Sequence, residues 1–159
     1  MQLSAAHADQ TRDAGWRLGK AVLLAGRREP LRIALEGELG AGKTTLAAGL
    51  LAAFGHVGPV RSPTYTLIEP YRLAGRAVYH CDLYRIDSPD AVEDLGLREL
   101  LTPESVLIVE WPERAGPTLG RWDVRVRLDY AEDGGRRITL EAQSAAGREV
   151  LDGLHLGEA

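Results

Sequence analysis

The sequence predicts one α/β domain spanning residues 1–159, and three observations indicate this class. LRIALE, residues 31–36, alternates apolar side chains as a short strand does, and a glycine-rich loop and a helical pattern follow it. VLIV, residues 106–109, is an uninterrupted apolar run of the kind found in strands buried on both faces. Two further pairs of strand patterns, each joined by a turn signal, predict hairpins. Strands that alternate with helices in this way are typical of α/β proteins.

The first half of the chain predicts helix, strand, helix and hairpin in that order. Residues 9–25 place apolar side chains on one side of a helix, ahead of the strand described above. After the glycine-rich loop, apolar residues recur at helical spacing as far as Phe54, and Gly55 is a stop signal. A loop with proline and glycine then leads to strands at 66–73 and 76–85, which a tight turn joins.

The second half begins with a helix signal at 88–101, where Ser88 is the N-cap and Pro89 the first helical residue. The remaining predicted elements are the buried strand 106–109 closed by Pro112, a hairpin of strands 123–130 and 136–142, and a weakly defined helical pattern after about residue 144.

Composition narrows the class of protein. The net charge of −4 argues against a broad basic face that grips nucleic acid, and 17 of the 19 basic residues are arginine. Cys81 is the single cysteine, so an internal disulfide and a cysteine zinc site are both excluded. No apolar run approaches the roughly 18 residues of a membrane span, and no signal peptide is visible. We therefore expect a cytoplasmic protein with no membrane partner.

The strongest functional signal is GELGAGKTTL, residues 37–46, which fits the phosphate-binding pattern G-x-x-x-x-G-K-[ST]. A strand, a glycine-rich loop and a helix place free backbone N–H groups around an anion. Lys43 is expected to neutralise the β- and γ-phosphates of a nucleotide, and the Thr44 hydroxyl to bind Mg²⁺. The predicted nucleotide contacts are Gly37, Glu38, Leu39, Gly40, Ala41, Gly42, Lys43, Thr44 and Thr45. The alternative is an ordinary glycine turn between strand and helix.

Two acids follow apolar strand runs and are candidates for chemistry. Asp82 and Glu110 each end such a run, and ligands of open α/β sheets gather at the carboxyl ends of the strands. Asp82 suits the Walker B role at Mg²⁺, and Glu110 suits either a second metal contact or a general base. The alternatives are that Asp82 caps a turn and that Glu110 is a solvated acid where its strand ends.

Other polar and aromatic residues give weaker signals. Ser62 and Thr64, in SPTY, offer hydroxyls that could sense a γ-phosphate, although such a stretch can also simply begin a strand. Trp111 is either a core aromatic or a reporter beside the site, and the sequence favours the core. The four histidines show no ligand spacing, so we predict no histidine metal site.

Five motifs in order, GELGAGKTT, SPTYTLIEPY, YHCDLYRI, EDLGLRELL and LIVEWPER, resemble the TsaE (YjeE) family of bacterial ATPases. The resemblance runs from about residue 9 to about residue 142. It implies a P-loop NTPase-like three-layer α/β fold, a mixed sheet with a parallel core and antiparallel hairpins. It also implies ATP and Mg²⁺ as ligands, with Thr44 and Glu110 as Mg²⁺ contacts and Asp82 as the Walker B acid. Lys43, Asp82 and Glu110 are the catalytic candidates.

The resemblance further implies a role in making threonylcarbamoyladenosine in tRNA. The partners of the family are TsaB and TsaD; TsaD transfers the threonylcarbamoyl group, and ATP hydrolysis supports repeated rounds. Contact with tRNA would come through that complex, and the isolated chain is expected to be a monomer. Adenine contacts in the family come from segments matching 7–11 and 130–134 here, which suggests Glu132 as a nucleotide contact.

Two other functions remain open at this point. A small-molecule kinase is the main alternative, although the predicted hairpin after the glycine-rich helix leaves no apparent helical lid. The second alternative is a nucleotide-gated binding module that never hydrolyses its nucleotide. Glu110 argues against this function, because a protein that only binds needs no catalytic acid at that position.

Overall fold

The computed structural model describes residues 1–26 and 29–156. Its strands are β1 (Gln2–Ala5), β2 (Leu31–Gly37), β3 (Ile68–Leu73), β4 (Arg76–Asp82), β5 (Val106–Glu110), β6 (Val124–Tyr130) and β7 (Arg136–Ala142). Its α-helices are α1 (Ala8–Ala25), α2 (Lys43–Ala53), α3 (Pro89–Asp94) and α4 (Ala145–Leu156), and 3-10 turns lie at Leu97–Leu100 and Pro112–Ala115.

Within the described part of the chain, seven strands form one mixed sheet in the order β1-β7-β6-β2-β5-β4-β3. The central strands β6, β2, β5 and β4 run parallel, and the outer pairs are antiparallel. The expected mixed sheet with a parallel core and antiparallel hairpins is therefore confirmed. Because β2, β4 and β5 are parallel, their carboxyl ends meet at one edge of the sheet, where Glu110 pairs in register with both Leu35 and Asp82.

The parallel strands are buried because both faces of the sheet are covered. Every residue of β5 is buried, as its uninterrupted apolar run predicts. Ile108 joins a core built with α1, α2 and α4, and Leu107 joins a second core with α3 and the 3-10 turns. Side chains at positions 106, 108 and 110 therefore face α2, which decides where Glu110 points.

Helix α1 crosses α2 at very short range, and glycine makes this possible. A Cβ added at Gly49 would lie 1.9 Å from the Arg12 carbonyl oxygen, and one at Gly15 would lie 2.0 Å from the Leu46 carbonyl oxygen. The helix backbones therefore touch where α2 supports the glycine-rich loop.

Gly49→Val should therefore destabilise the protein by about 3 kcal/mol, because the helices must separate and the core beneath them must repack. Gly153→Ala, on α4, is the matched control, since the added Cβ would meet Ala21 of α1 at an ordinary contact distance of 3.8 Å. We expect the control to be neutral or slightly stabilising. Urea unfolding measures both variants, and equal stability of the two would contradict the close helix contact.

Two predicted elements are shorter than their sequence patterns. The 88–101 helix signal gives only the six residues of α3, capped by the Ser88 hydroxyl, which accepts from the Ala91 N–H at 3.3 Å. Gly96 then adopts a left-handed φ of +68°, which ends the helix before the 3-10 turn. The strand pattern 76–85 ends at Asp82, because the Tyr84 N–H turns back to the Asp82 carboxylate.

The two ends of the chain contain structure that the sequence pattern indicated weakly or not at all. Strand β1 was not predicted; it pairs antiparallel with β7, and the Met1 carbonyl accepts from the Leu140 N–H at 2.9 Å. The weak pattern after residue 144 forms α4, whose Val150 and Leu154 are buried in the main core.

No helix in residues 1–26 and 29–156 combines the length and apolar character needed to cross a membrane.

Candidate functional site

The glycine-rich loop, residues 37–42, joins β2 to α2 at the carboxyl edge of the sheet. Gly37, Gly40 and Gly42 have φ values of +151°, +77° and +108°, a region that side chains with a Cβ rarely adopt. Helix α2 begins directly afterwards, at Lys43, so its first N–H groups are free of intrahelical partners. The local geometry is that of an anion-binding loop at a helix N-terminus.

Lys43 lies against the inner side of this loop and is only 5% exposed. Its Nζ donates to the carbonyl oxygens of Gly37 at 2.6 Å and Glu38 at 2.9 Å. The ammonium also lies 4.2 Å from the centre of the Trp111 ring. Burial lowers the pKa of Lys43 from its ordinary value, while the nearby carboxylates of Glu110 and Asp82 act in the opposite direction.

Glu110 is buried between α2 and β4. The Thr44 hydroxyl donates to its two carboxylate oxygens at 2.9 and 3.1 Å. His80 Nε2 lies 2.6 Å from Glu110 Oε2, and because a carboxylate only accepts, the imidazole nitrogen donates in this contact. These contacts fix the orientation of a carboxylate that is 3% exposed.

Asp82 is the second buried carboxylate at this edge, 5% exposed. Its Oδ1 accepts from the Tyr84 N–H at 2.9 Å, and its Oδ2 accepts from the Ser62 hydroxyl. Thr64 Oγ1 lies 3.4 Å from Ser62 Oγ, so the Thr64 hydroxyl is linked to the carboxylate through Ser62. The segment between α2 and β3 is thereby tied to the end of β4.

These groups line one cavity of about 350 Å³, called here the central cavity. Its lining residues are Leu39, Gly40, Gly42, Lys43, Thr44, Thr45, Ser62, Thr64, Asp82, Tyr84, Glu110 and Trp111. Hydroxyl and carboxylate oxygens are the ligands that Mg²⁺ prefers, and Thr44, Glu110 and Asp82 supply them here. The donor set therefore fits a magnesium ion.

A smaller cavity of about 250 Å³, the adjoining cavity, shares Gly40, Gly42 and Thr45 with the central cavity. It is lined by Ala5, Ala6, His7, Ala8, Thr11, Gly40, Ala41, Gly42, Thr45, Gly134, Gly135 and Arg136. Most of the 7–11 segment and the end of the late hairpin are thus brought together. Glu132 is exposed on the hairpin turn and is not among the lining residues, so its contact with a nucleotide stays a prediction.

The structure places the predicted nucleotide contacts around both cavities. Six of them line the central cavity: Leu39, Gly40, Gly42, Lys43, Thr44 and Thr45. Gly37 and Glu38 supply the carbonyl oxygens that hold Lys43, and Ala41 lines the adjoining cavity. Their roles in binding remain predictions.

Trp111 lines the central cavity and also packs against the second core, so it combines the two positions that the sequence offered as alternatives. It is half-buried, with its ring 4.9 Å from the Tyr84 ring. Its left-handed φ of +58° turns the chain sharply after β5, which brings the indole to the Lys43 ammonium. This backbone conformation is uncommon for a bulky residue, and the sequence gives no signal of it.

His80 is a site residue that the sequence pattern does not predict. It lies two positions before Asp82 on β4, so both side chains face α2, while Cys81 between them faces the other core. The spacing H-x-D at the end of a strand was therefore the available signal. Its contact with Glu110 also requires β4 and β5 to be neighbours.

Fold and site together define a mixed α/β protein with a Walker A sequence between strand and helix and two buried acids beside it. The family model "Threonylcarbamoyl adenosine biosynthesis protein TsaE" matches residues 5–138. The chain belongs to this family.

Proteins named "tRNA threonylcarbamoyladenosine biosynthesis protein TsaE" are among its relatives. The Haemophilus influenzae protein is 39% identical over 137 residues, which cover 86% of each chain. The Bacillus subtilis protein is 38% identical over 110 residues, covering 69% of this chain and 68% of the relative. The crystal structure of YdiB from Bacillus subtilis matches with a TM-score of 0.81 and 25% identity, over 100% of this chain and 96% of that one.

Proposed function

We propose that this protein is an ATPase that supports the synthesis of threonylcarbamoyladenosine in tRNA. The observation that carries the ATPase is the grouping of Lys43, Thr44, Asp82 and Glu110 around one cavity beside the glycine-rich loop. Membership of the TsaE family supports the tRNA pathway. The protein acts in the cytoplasm. Its fold is P-loop NTPase-like, with helices that cover both faces of the sheet.

The glycine-rich loop and Lys43 bind the phosphates of ATP. The N–H groups of the loop and of the first turn of α2 donate to phosphate oxygens. Lys43 exchanges its contacts with the Gly37 and Glu38 carbonyls for the β- and γ-phosphates, which a flexible ammonium can do without moving the loop. Burial of Lys43 strengthens its attraction to a bound anion, since little water screens it.

Thr44 and Glu110 would hold Mg²⁺, and Asp82 would hold it directly or through a water. An ion held there would supply positive charge to offset the charge that develops on the transferred phosphoryl group. His80 keeps one Glu110 oxygen fixed, which leaves the carboxylate in a single orientation. Ser62 holds Asp82 in the same manner, so a change in the SPTY segment is transmitted to the acid.

The proposed partners of this protein are TsaD and TsaB, the partners of the family. Their binding is proposed to order Ser62 and Thr64 at the γ-phosphate, and tRNA is reached through the complex. Isolated P-loop switches hydrolyse their nucleotide slowly because part of the charge stabilisation is missing. A partner that supplies the missing group can raise the rate by about 10³–10⁵-fold.

The isolated protein should therefore hydrolyse ATP well below about 1 s⁻¹, and adding the TsaB–TsaD pair should raise turnover. Ser62→Ala and Thr64→Val should blunt this rise more than they weaken ATP binding. Thr66→Val is the matched control, because Thr66 is an exposed hydroxyl of the same segment outside the central cavity lining. Phosphate release and ATP affinity are measured with and without the pair.

Fast turnover by the protein alone, unchanged by the pair, would show a site already complete without partners. Transfer of phosphate to a small hydroxyl acceptor, instead of its release, would favour the kinase alternative.

A further inference from the structure

The carbonyl oxygens of the glycine-rich loop have donors of their own. A loop whose N–H groups point at an anion turns its carbonyls away from that anion, and these need other partners. The Leu39 carbonyl accepts from the Tyr130 hydroxyl at 2.8 Å. The Ala41 and Gly40 carbonyls accept from Arg136 Nε at 2.9 Å and Nη2 at 3.2 Å. Three consecutive loop carbonyls are thus held by the β6–β7 hairpin.

Arg136 is itself held in place on this hairpin. Its Nη1 donates to the carbonyls of Gly134 and Gly135, both at 3.0 Å. Its guanidinium lies 4.3 Å from the centre of the Tyr130 ring. All three guanidinium nitrogens are therefore engaged, and the planar fork joins the hairpin turn to the loop. A lysine ammonium cannot reproduce this arrangement.

Strand alternation explains why these two side chains reach the loop. Tyr130 continues the row of Val126 and Leu128 on β6, and Arg136 continues that of Ile138 on β7, all on the α2 side of the sheet. Arg137, the next residue, lies on the opposite face and is exposed.

We propose that Tyr130 and Arg136 hold the glycine-rich loop in its phosphate-binding shape before a nucleotide arrives. They are positioning residues, because neither lines the central cavity. A loop ordered in advance loses less conformational freedom on binding, so its ligand binds more tightly. The inference rests on the proposed function and concerns the triphosphate part of ATP, not its base.

The test compares Arg136→Met with Arg137→Met, two adjacent arginines of β7. Calorimetry with Mg²⁺ gives the affinities for ATP and for inorganic tripolyphosphate, and thermal unfolding without ligand checks the fold. Arg136→Met should weaken both ligands by a similar factor of about tenfold or more, the effect of losing hydrogen bonds from a charged donor. Arg136→Lys should not restore affinity, and Arg137→Met should stay within about twofold of the original protein.

Tyr130→Phe gives a second measurement that does not depend on Arg136. It removes only the hydrogen bond to the Leu39 carbonyl, so both affinities should fall by about two- to fivefold with the ring still in place. If Arg136→Met fails to fold, the two affinities of Tyr130→Phe decide whether the inference holds.

Unchanged tripolyphosphate affinity in a folded Arg136→Met protein would overturn the inference. Weaker ATP binding with normal tripolyphosphate binding would also overturn it, since Arg136 would then act at the adjoining cavity. If the original protein and Arg137→Met bind neither ligand, the proposed function fails first and the inference with it.

Discussion

Lys43→Ala should remove most ATP binding while the protein stays folded. The substitution deletes the buried positive charge that is proposed to face the β- and γ-phosphates, and charge-assisted contacts of this kind are among the strongest in a phosphate site. The fold should survive because the ammonium contacts two loop carbonyls and an aromatic face, not the apolar core. We expect a loss of affinity of about 10²-fold, measured by calorimetry with ATP and Mg²⁺.

Lys20→Ala is the matched control, since Lys20 is the other lysine of the chain and lies exposed on α1 over the Trp16 ring. It should bind ATP normally. Near-normal ATP affinity in a folded Lys43→Ala protein would falsify the assignment of the phosphate site.

Glu110→Ala should separate binding from turnover. ATP should still bind through the loop and Lys43, whereas hydrolysis should fall by about 10²-fold or more because the carboxylate proposed to hold Mg²⁺ is lost. Glu110→Gln is the sharper version, since its amide oxygen can still accept from His80 while the negative charge is gone. Phosphate release at saturating ATP is the measurement.

Glu113→Ala controls for the charge change, because Glu113 is an exposed acid three residues further on that also acts electrostatically on Lys43. Its turnover should stay near that of the original protein. Unchanged hydrolysis in Glu110→Gln at saturating ATP would remove Glu110 from the mechanism.

Local patterns account for the parts of the fold that the sequence predicted well. The alternation in β2, the apolar run of β5 and the two hairpins are each readable within a few residues. The sequence does not predict β1, because a strand of four residues with only its last residue buried makes too weak a pattern. The helix predicted at 88–101 is longer than α3, because only the backbone shows that Gly96 takes a left-handed conformation.

Long-range pairing accounts for what was missed at the site. Asp82 and Glu110 were recognisable because each ends its own strand, but the contact of His80 with Glu110 exists only because β4 lies beside β5. In the same way, β6 lies parallel beside β2, which brings Tyr130 and Arg136 to the glycine-rich loop. Such neighbours are far apart in sequence, so no local pattern reports them.

Magnesium-dependent phosphate release under multiple turnover, with the TsaB–TsaD pair present, tests the central claim most directly. The original protein should release many phosphates per molecule, and Glu110→Gln, which still binds ATP, should release about 10²-fold fewer in the same time. The absence of release above background, or equal release by both proteins, would contradict ATP hydrolysis at this site.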